Sequence, residues 1–359
     1  MRVLWIISGC IFIILGCSRN NDNTNSQQFS NTIPVDTLDK WEDYASSSDN
    51  GLWENDDSRR VIVTRVESYG GEEDLDPPFF KSDFISLYGD TIYISDGSQE
   101  ALIAMDSSGE VLWKRGQPGE GPGDFLMIGS TSRSGNTIAV CNNSIARLDF
   151  FTAEGDYRNS INISGPQNVI MLTDSTGIAA SKSQPGGNVH LFSAEGGIET
   201  SIGANRWVMF PNNFPRRDLF IACHHMGSVA CVSQFEDNLY IYDLESGETI
   251  NSGTRELPAE PTGGDLQTYY TLYATIFTGP DSMINVPIPD FMDNGQFLGS
   301  GGRHHAPVTV VDRYNWDGDY LDSYVLPDSV LNVIAYSEEL GFIAAQRGTG
   351  KIFRYTLER

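Results

Sequence analysis

Arg115, Lys182, Arg206, Arg303 and Arg347 stand in short segments rich in Gly, Pro, Ser or Asn, and Glu120 and the pair His304 and His305 occupy segments of the same kind. A guanidinium is a planar, bidentate donor for carboxylate or phosphate oxygens. Gathered around one opening, these side chains would bind an anionic ligand. Taken one by one, each is a solvated turn residue or the partner of a nearby carboxylate. His304 or His305 with a carboxylate such as Glu120 would instead supply the acid and base of a hydrolase or lyase. No Gly-x-Ser-x-Gly elbow accompanies them. Two classes of function therefore stand: a non-catalytic module that binds a glycan, peptide or protein partner, and a hydrolase or lyase. Missing catalytic motifs favour the first.

Metal chemistry has less support. The pairs His224–His225 and His304–His305 fall at opposite ends of neighbouring units, and adjacent strand residues point to opposite sides, so they do not share an ion. With no His-x-x-x-His or Cys-x-x-Cys spacing, neither a metal nor another cofactor is expected. Asp317, Asp319 and Asp322, like Glu72, Glu73, Asp74 and Asp76, lack the closing bidentate Glu of a calcium loop and read as solvated faces. Cys223 and Cys231 flank a turn at 225–228. A hairpin centred near Gly227 would set them opposite each other within disulfide reach, the alternative being two reduced, buried thiols. Cys141 reads as core, and His190 as a partly buried strand residue.

A repeat positions these residues. Small acidic turns closed by Gly109, Gly155, Gly196, Gly247 and Gly318 each follow an alternating apolar run, at spacings of 46, 41, 51 and 71 residues. Glycine suits a hairpin position with positive φ. A sixth copy begins at Val330 and stops where its acidic turn would come, one strand short, while residues 61–66 form a strand belonging to no complete unit. Pairing the two closes a ring and removes its exposed edge. The fold expected is all-β, a six-bladed β-propeller over residues 59–359. In a four-stranded blade the first-to-second and third-to-fourth turns share one face of the ring. The second-to-third turns and the connections between blades share the other, where the eight basic, His and Glu candidates are placed, with Arg115 at the entrance. The long fourth spacing leaves room for a short helix at 265–277, a connector or a lid.

Composition sets the remaining limits. Lys plus Arg number 23 against 48 Asp plus Glu, a formal net charge of -25, and so acidic a surface repels nucleic acid. A 40% hydrophobic content excludes global disorder. Residues 1–16 carry a charged start and an apolar run too short to span a bilayer, as a secretory signal does. Residues 17–58 are rich in Asn, Asp, Ser and Gln and read as a flexible tether.

The run Ile14-Leu15-Gly16-Cys17 resembles a bacterial lipobox. That resemblance implies cleavage before Cys17 and lipidation of its thiol and new N-terminus, with palmitate-type chains, so that the membrane is a partner. Ser18 carries no negative charge, and by likeness to Gram-negative sorting this implies the outer membrane of the cell envelope. The segment from Gly116 to Phe125, Gly-Gln-Pro-Gly-Glu-Gly-Pro-Gly-Asp-Phe, resembles the signature of bacterial six-bladed β-propeller lipoproteins, relatives of the NHL-repeat propellers, although Asp124 stands where Glu is commoner. That likeness implies a fold and an envelope location, and the chain is expected to be a monomer.

Overall fold

The computed structural model describes residues 60–70, 81–181, 183–203, 207–209, 215–217, 220–233, 238–254, 275–287, 309–328, 331–346 and 350–357. The signal, the tether, and residues 265–274 of the expected helix lie outside the described residues. Phe277, the expected end of that helix, is instead in the strand Phe277–Thr278, because it pairs with Asn285 of Ile284–Pro287 and its ring enters an apolar core.

Six antiparallel four-stranded blades follow one another along the chain. Blade one is Ser82–Tyr88, Thr91–Asp96, Ala101–Met105 and Val111–Arg115. Blade two is Ile128–Ser134, Thr137–Asn142, Arg147–Thr152 and Tyr157–Asn162. Blade three is Pro166–Met171, Thr176–Ser181, Val189–Ser193 and Gly197–Ile202. After a small hairpin, Trp207–Met209 with Pro215–Arg217, blade four is Phe220–His225, Ser228–Ser233, Asn238–Asp243 and Thr249–Thr254. Blade five is Phe277–Thr278, Ile284–Pro287, Thr309–Tyr314 and Tyr320–Leu326. Blade six takes Leu331–Ser337, Gly341–Gln346 and Ile352–Leu357 from the end of the chain and Arg60–Tyr69 from its beginning.

The ring is visible in the core. Middle strands such as Ala101–Met105 are buried along their whole length, because each blade is covered on both sides and polar alternation is lost. Side-chain alternation then divides the strand. Ile103 and Met105 pack against blade six with Val333, Ile343 and Ile352, whereas Leu102 and Ala104 pack against blade two with Phe125, Ile138 and Phe151. Four further clusters join blades two to three, three to four, four to five and five to six, so six interfaces close the circle. Burying one Leu, Ile or Phe contributes about 1.5–3 kcal/mol, and every blade feeds two such interfaces.

The acidic turns hold themselves. In Asp106 and Asp243 the carboxylate accepts hydrogen bonds from backbone N–H groups two to four residues on, and Thr152, Ser193 and Asn315 use their side-chain oxygens in the same way. Gly109, Gly155, Gly247 and Gly318 have φ of +72° to +89°; in the third turn the positive φ belongs to Gly197 rather than Gly196. A second demand falls on three of them. A Cβ at Gly109 would meet the Tyr69 ring at 2.8 Å, at Gly155 the Arg115 side chain at 2.9 Å, and at Gly247 Ile202 at 2.9 Å. Each of these turns is therefore covered by the outer strand of the preceding blade. Trp113 Nε1 donates to Ala153 O (3.1 Å) and Asn159 Nδ2 to Ala194 O (2.6 Å) across the same kind of junction.

The closing strand does more than complete blade six. Val63–Tyr69 pairs antiparallel with Ile352–Leu357, and Arg60–Ile62 pairs parallel with Ser323–Val325, the outer strand of blade five. Blades five and six thereby share one eight-stranded sheet. Asp328 holds the junction by accepting from Arg65 Nη1 (2.7 Å) and from Tyr355 OH (2.9 Å).

Candidate functional site

The 116–125 segment is a built-in part of the wall. Gly116 has φ +86°, and a Cβ there would lie 2.4 Å from the Phe125 ring, which is fully buried between blades one and two. Gly119 N–H donates to Phe125 O, and Phe125 N–H to Gln117 O, both at 3.0 Å. Arg147 of blade two then clamps the loop, donating to the carbonyls of Glu120 (3.2 Å), Gly121 (3.0 Å) and Asp124 (3.2 Å). Its Nε lies 2.6 Å from Asp149 Oδ1, a fully buried carboxylate that also accepts from Asn142 Nδ2. Burial pushes the Asp149 carboxyl up, while Asn142 and Arg147 pull it down. From blade one, Glu100 Oε2 accepts from Ile128 N–H at 2.7 Å. Glu100, Asn142, Arg147 and Asp149 stand far apart in the sequence and match no motif, so nothing in the sequence points to them.

Of the eight candidates on the second face, Lys182, Arg206, Arg303, His304, His305 and Arg347 lie outside the described residues. Arg115 is occupied by the fold: Nε donates to Gly155 O at 3.0 Å and Nη2 to Glu154 O at 3.3 Å, and its guanidinium lies 5.8 Å from the Trp113 ring. Arg115 thus fastens blade one to the acidic turn of blade two. Glu120 is exposed, and its carbonyl is the atom Arg147 uses.

The facing arrangement of Cys223 and Cys231 is corrected. A two-residue turn at Met226–Gly227 pairs Cys223 with Ala230 and Cys231 with Ala222, so the two thiols fall on opposite sides of blade four, in different clusters. Cys141, Cys223 and Cys231 are all free and buried, and burial raises each thiol, that of Cys223 to about 12.

Where the six first strands meet, they enclose a central cavity of about 240 Å³. Each blade contributes a run of three or four consecutive residues of or beside its first strand to the lining. Ser86, Ser132, Ile170, His224, Thr278 and Tyr336 form the ring nearer the first-to-second turns, one per blade and all half-buried. Hydroxyl and amide groups satisfy the unpaired inner edges of neighbouring strands. Ser130 Oγ accepts from Val169 N–H (3.3 Å) and Ser132 Oγ from Met171 N–H (3.0 Å). Asn168 Oδ1 accepts from Ala222 N–H (3.2 Å), and Thr278 Oγ1 donates to His224 O (3.0 Å). This relay runs from blade two to blade five. Among the described residues the lining contains no Lys, Arg, Asp or Glu, and no group of three His, Cys, Asp or Glu forms a metal-binding arrangement.

His224 is the one imidazole among the described residues of the cavity wall. Its Nε2 accepts from Gly227 N–H at 3.3 Å, which assigns the proton to Nδ1. Burial, then the neighbouring His225, lowers its pKa; His225 itself stacks on Trp316 at 5.9 Å. The ring residues escape sequence reasoning because they share a position, two residues or fewer from the end of a first strand, and not a residue type.

Among solved structures, the chain is similar to a DUF4221-family member from Bacteroides vulgatus, with a TM-score of 0.53 and 9% identity over 83% of this chain and 99% of that one. It is also similar to a Bacteroides fragilis protein described as exported (TM-score 0.48, 10% identity, 84% and 99% covered) and to a streptogramin B lyase (TM-score 0.47, 12% identity, 76% and 78% covered). No family model and no curated relative matches. At such identities the likeness is one of fold, and the fold is a six-bladed β-propeller.

Proposed function

We propose that the protein is a non-catalytic binding module of the bacterial cell envelope, held to the outer membrane through lipid on Cys17, with its ligand site in the central cavity. The observation that carries this reading is the ring of six side chains, one from each blade, around a space free of charged groups among the described residues. A mouth of this kind provides hydrogen bonds and apolar surface on a rigid frame, which is the make-up of a binding pocket, and offers one imidazole as its acid or base. The lipobox-like run and the 17–58 segment supply anchor and reach.

Two experiments test the two halves. Cys17→Ser should leave an unprocessed precursor, and mass spectrometry of the native protein should find a lipidated Cys17; an N-terminus at Met1 refutes the anchor. Calorimetry with neutral glycans, anionic glycans and peptides should find a ligand for the wild type that Ile170→Trp, which fills the cavity, no longer binds and Arg115→Ala still binds. Unchanged binding by Ile170→Trp moves the site out of the cavity.

A further inference from the structure

The tip of blade four's first hairpin carries a residue that its backbone does not favour. Met226 and Gly227 form the turn with φ of +44° and +81°, two left-handed positions for which Asn-Gly is the preferred pair. Glycine adopts such a φ without steric cost, and methionine does not. Met226 is also the most exposed large hydrophobic side chain among the described residues, at 87%. The tip that bears it is fastened on both flanks. Leu244 N–H, from the acidic turn of the same blade, donates to Gly227 O at 2.8 Å. Toward blade five, His225 stacks on Trp316, whose Nε1 donates to Ser282 O at 2.8 Å. A fixed apolar tip that costs stability where Asn would add it points to contact with something outside the fold. The same flanks bring carboxylates. Glu245 and Glu248 of blade four and Asp317 and Asp319 of blade five are exposed, and the Asp281 side chain is 79% exposed, 3.6 Å from Arg313. The four turns at 225–228, 243–248, 279–283 and 315–319 contain no Lys or Arg.

We propose that this part of the first face, between blades four and five, docks a basic segment of a partner protein, whose apolar side chain packs on Met226 while its Lys and Arg side chains meet the surrounding carboxylates. The docking site is separate from the central cavity and does not depend on what the cavity holds. Charge decides among occupants. A second copy would bring the same carboxylates and a net charge of -25, and an anionic membrane or a nucleic acid would be repelled in the same way. A basic partner is instead drawn in by the rim, which speeds encounter, and burial of the methionine then holds it. Methionine suits that task because its unbranched thioether adapts to whatever covers it. A tip already fixed by its neighbours also loses little freedom on binding.

The test is selection of random phage-displayed peptides against the full chain, followed by NMR titration of the methionine methyl groups with the peptides selected. Enriched peptides should carry Lys or Arg around an apolar residue, should shift the Met226 methyl in a saturable way, and should bind more weakly as salt is raised. Met127, the other exposed methionine among the described residues, accepts from Asn143 N–H at a second-to-third turn on the opposite face, and its methyl should not move. Met226→Asn should raise the melting temperature by about 2 °C, because Asn accepts the left-handed turn, and yet lose about tenfold in affinity. Met226→Leu should keep the affinity without the gain in stability. A selection that yields no peptide, or only peptides without basic residues, overturns the docking site. So does an equal shift at Met127, or a Met226→Asn variant that binds as the wild type does, and none of these outcomes bears on the cavity.

Discussion

His190 is fully buried, with Nδ1 2.8 Å from Ser201 Oγ and no partner for Nε2. Burial lowers its pKa to about 4 from an ordinary 6.5. The unfolded chain therefore binds a proton that the folded one refuses between pH 6.5 and 4, so stability is complete above that window and falls through it, by about 3 kcal/mol in all. Urea denaturation of His190→Gln should show a flatter dependence over that range; an unchanged slope would assign it elsewhere. Asp106 and Asp243 act at lower pH. Ser108 and Ser246 hydrogen bonds hold their carboxylates below the usual range, so their contribution is lost only as acid protonates them. Arg147→Met should cost about 3–5 kcal/mol, because it leaves Asp149 buried and unpaired, and thermal denaturation measures it. Arginines in Gly-rich segments are legible in a sequence as candidates, but whether a guanidinium reaches a ligand or, as Arg115 does, a neighbouring carbonyl depends on contacts about 40 residues away along the chain.

The acidic turns are the elements that the sequence shows best, since Asp, Asn, Ser and Thr followed by Gly close such turns by local bonds alone. Their second role is hidden, because the covering side chain belongs to another blade. The two roles separate by mutation. Gly197→Ala meets nothing within 4 Å and should cost only the left-handed conformation, about 1–2 kcal/mol. Gly155→Ala carries the same conformational cost and also drives a methyl group into Trp113 and Arg115, so chemical denaturation should find it the more damaging. Equal losses would mean that the outer strand of blade one gives way freely. The 116–125 loop shows the same limit: four glycines and two prolines mark an unusual backbone path, but not that Phe125 sits inside the wall.

For the whole molecule, blade number and circular closure are readable because a missing fourth strand at one end and an orphan strand at the other leave one pairing. The parallel stretch from Arg60 to Ile62 is not readable, since it depends on how blades five and six lean together. Deleting residues 1–66 should expose Ile352–Leu357 and cause aggregation, whereas a chain beginning at residue 51 should keep its stability; light scattering during a thermal ramp tells them apart. The pairing of Val63–Tyr69 with Ile352–Leu357 also orders events in time. In a chain made from its N-terminus, the strand that emerges first waits for the last segment before its edge is covered. Until then its shelter is the outer edge of blade five, which itself appears only with residues 323–325. Such long-range closure is slow, and the open ring presents a bare strand edge while it waits. The newly made protein is therefore a natural client for a chaperone that holds strand edges, and the demand for one ends when the final residues arrive.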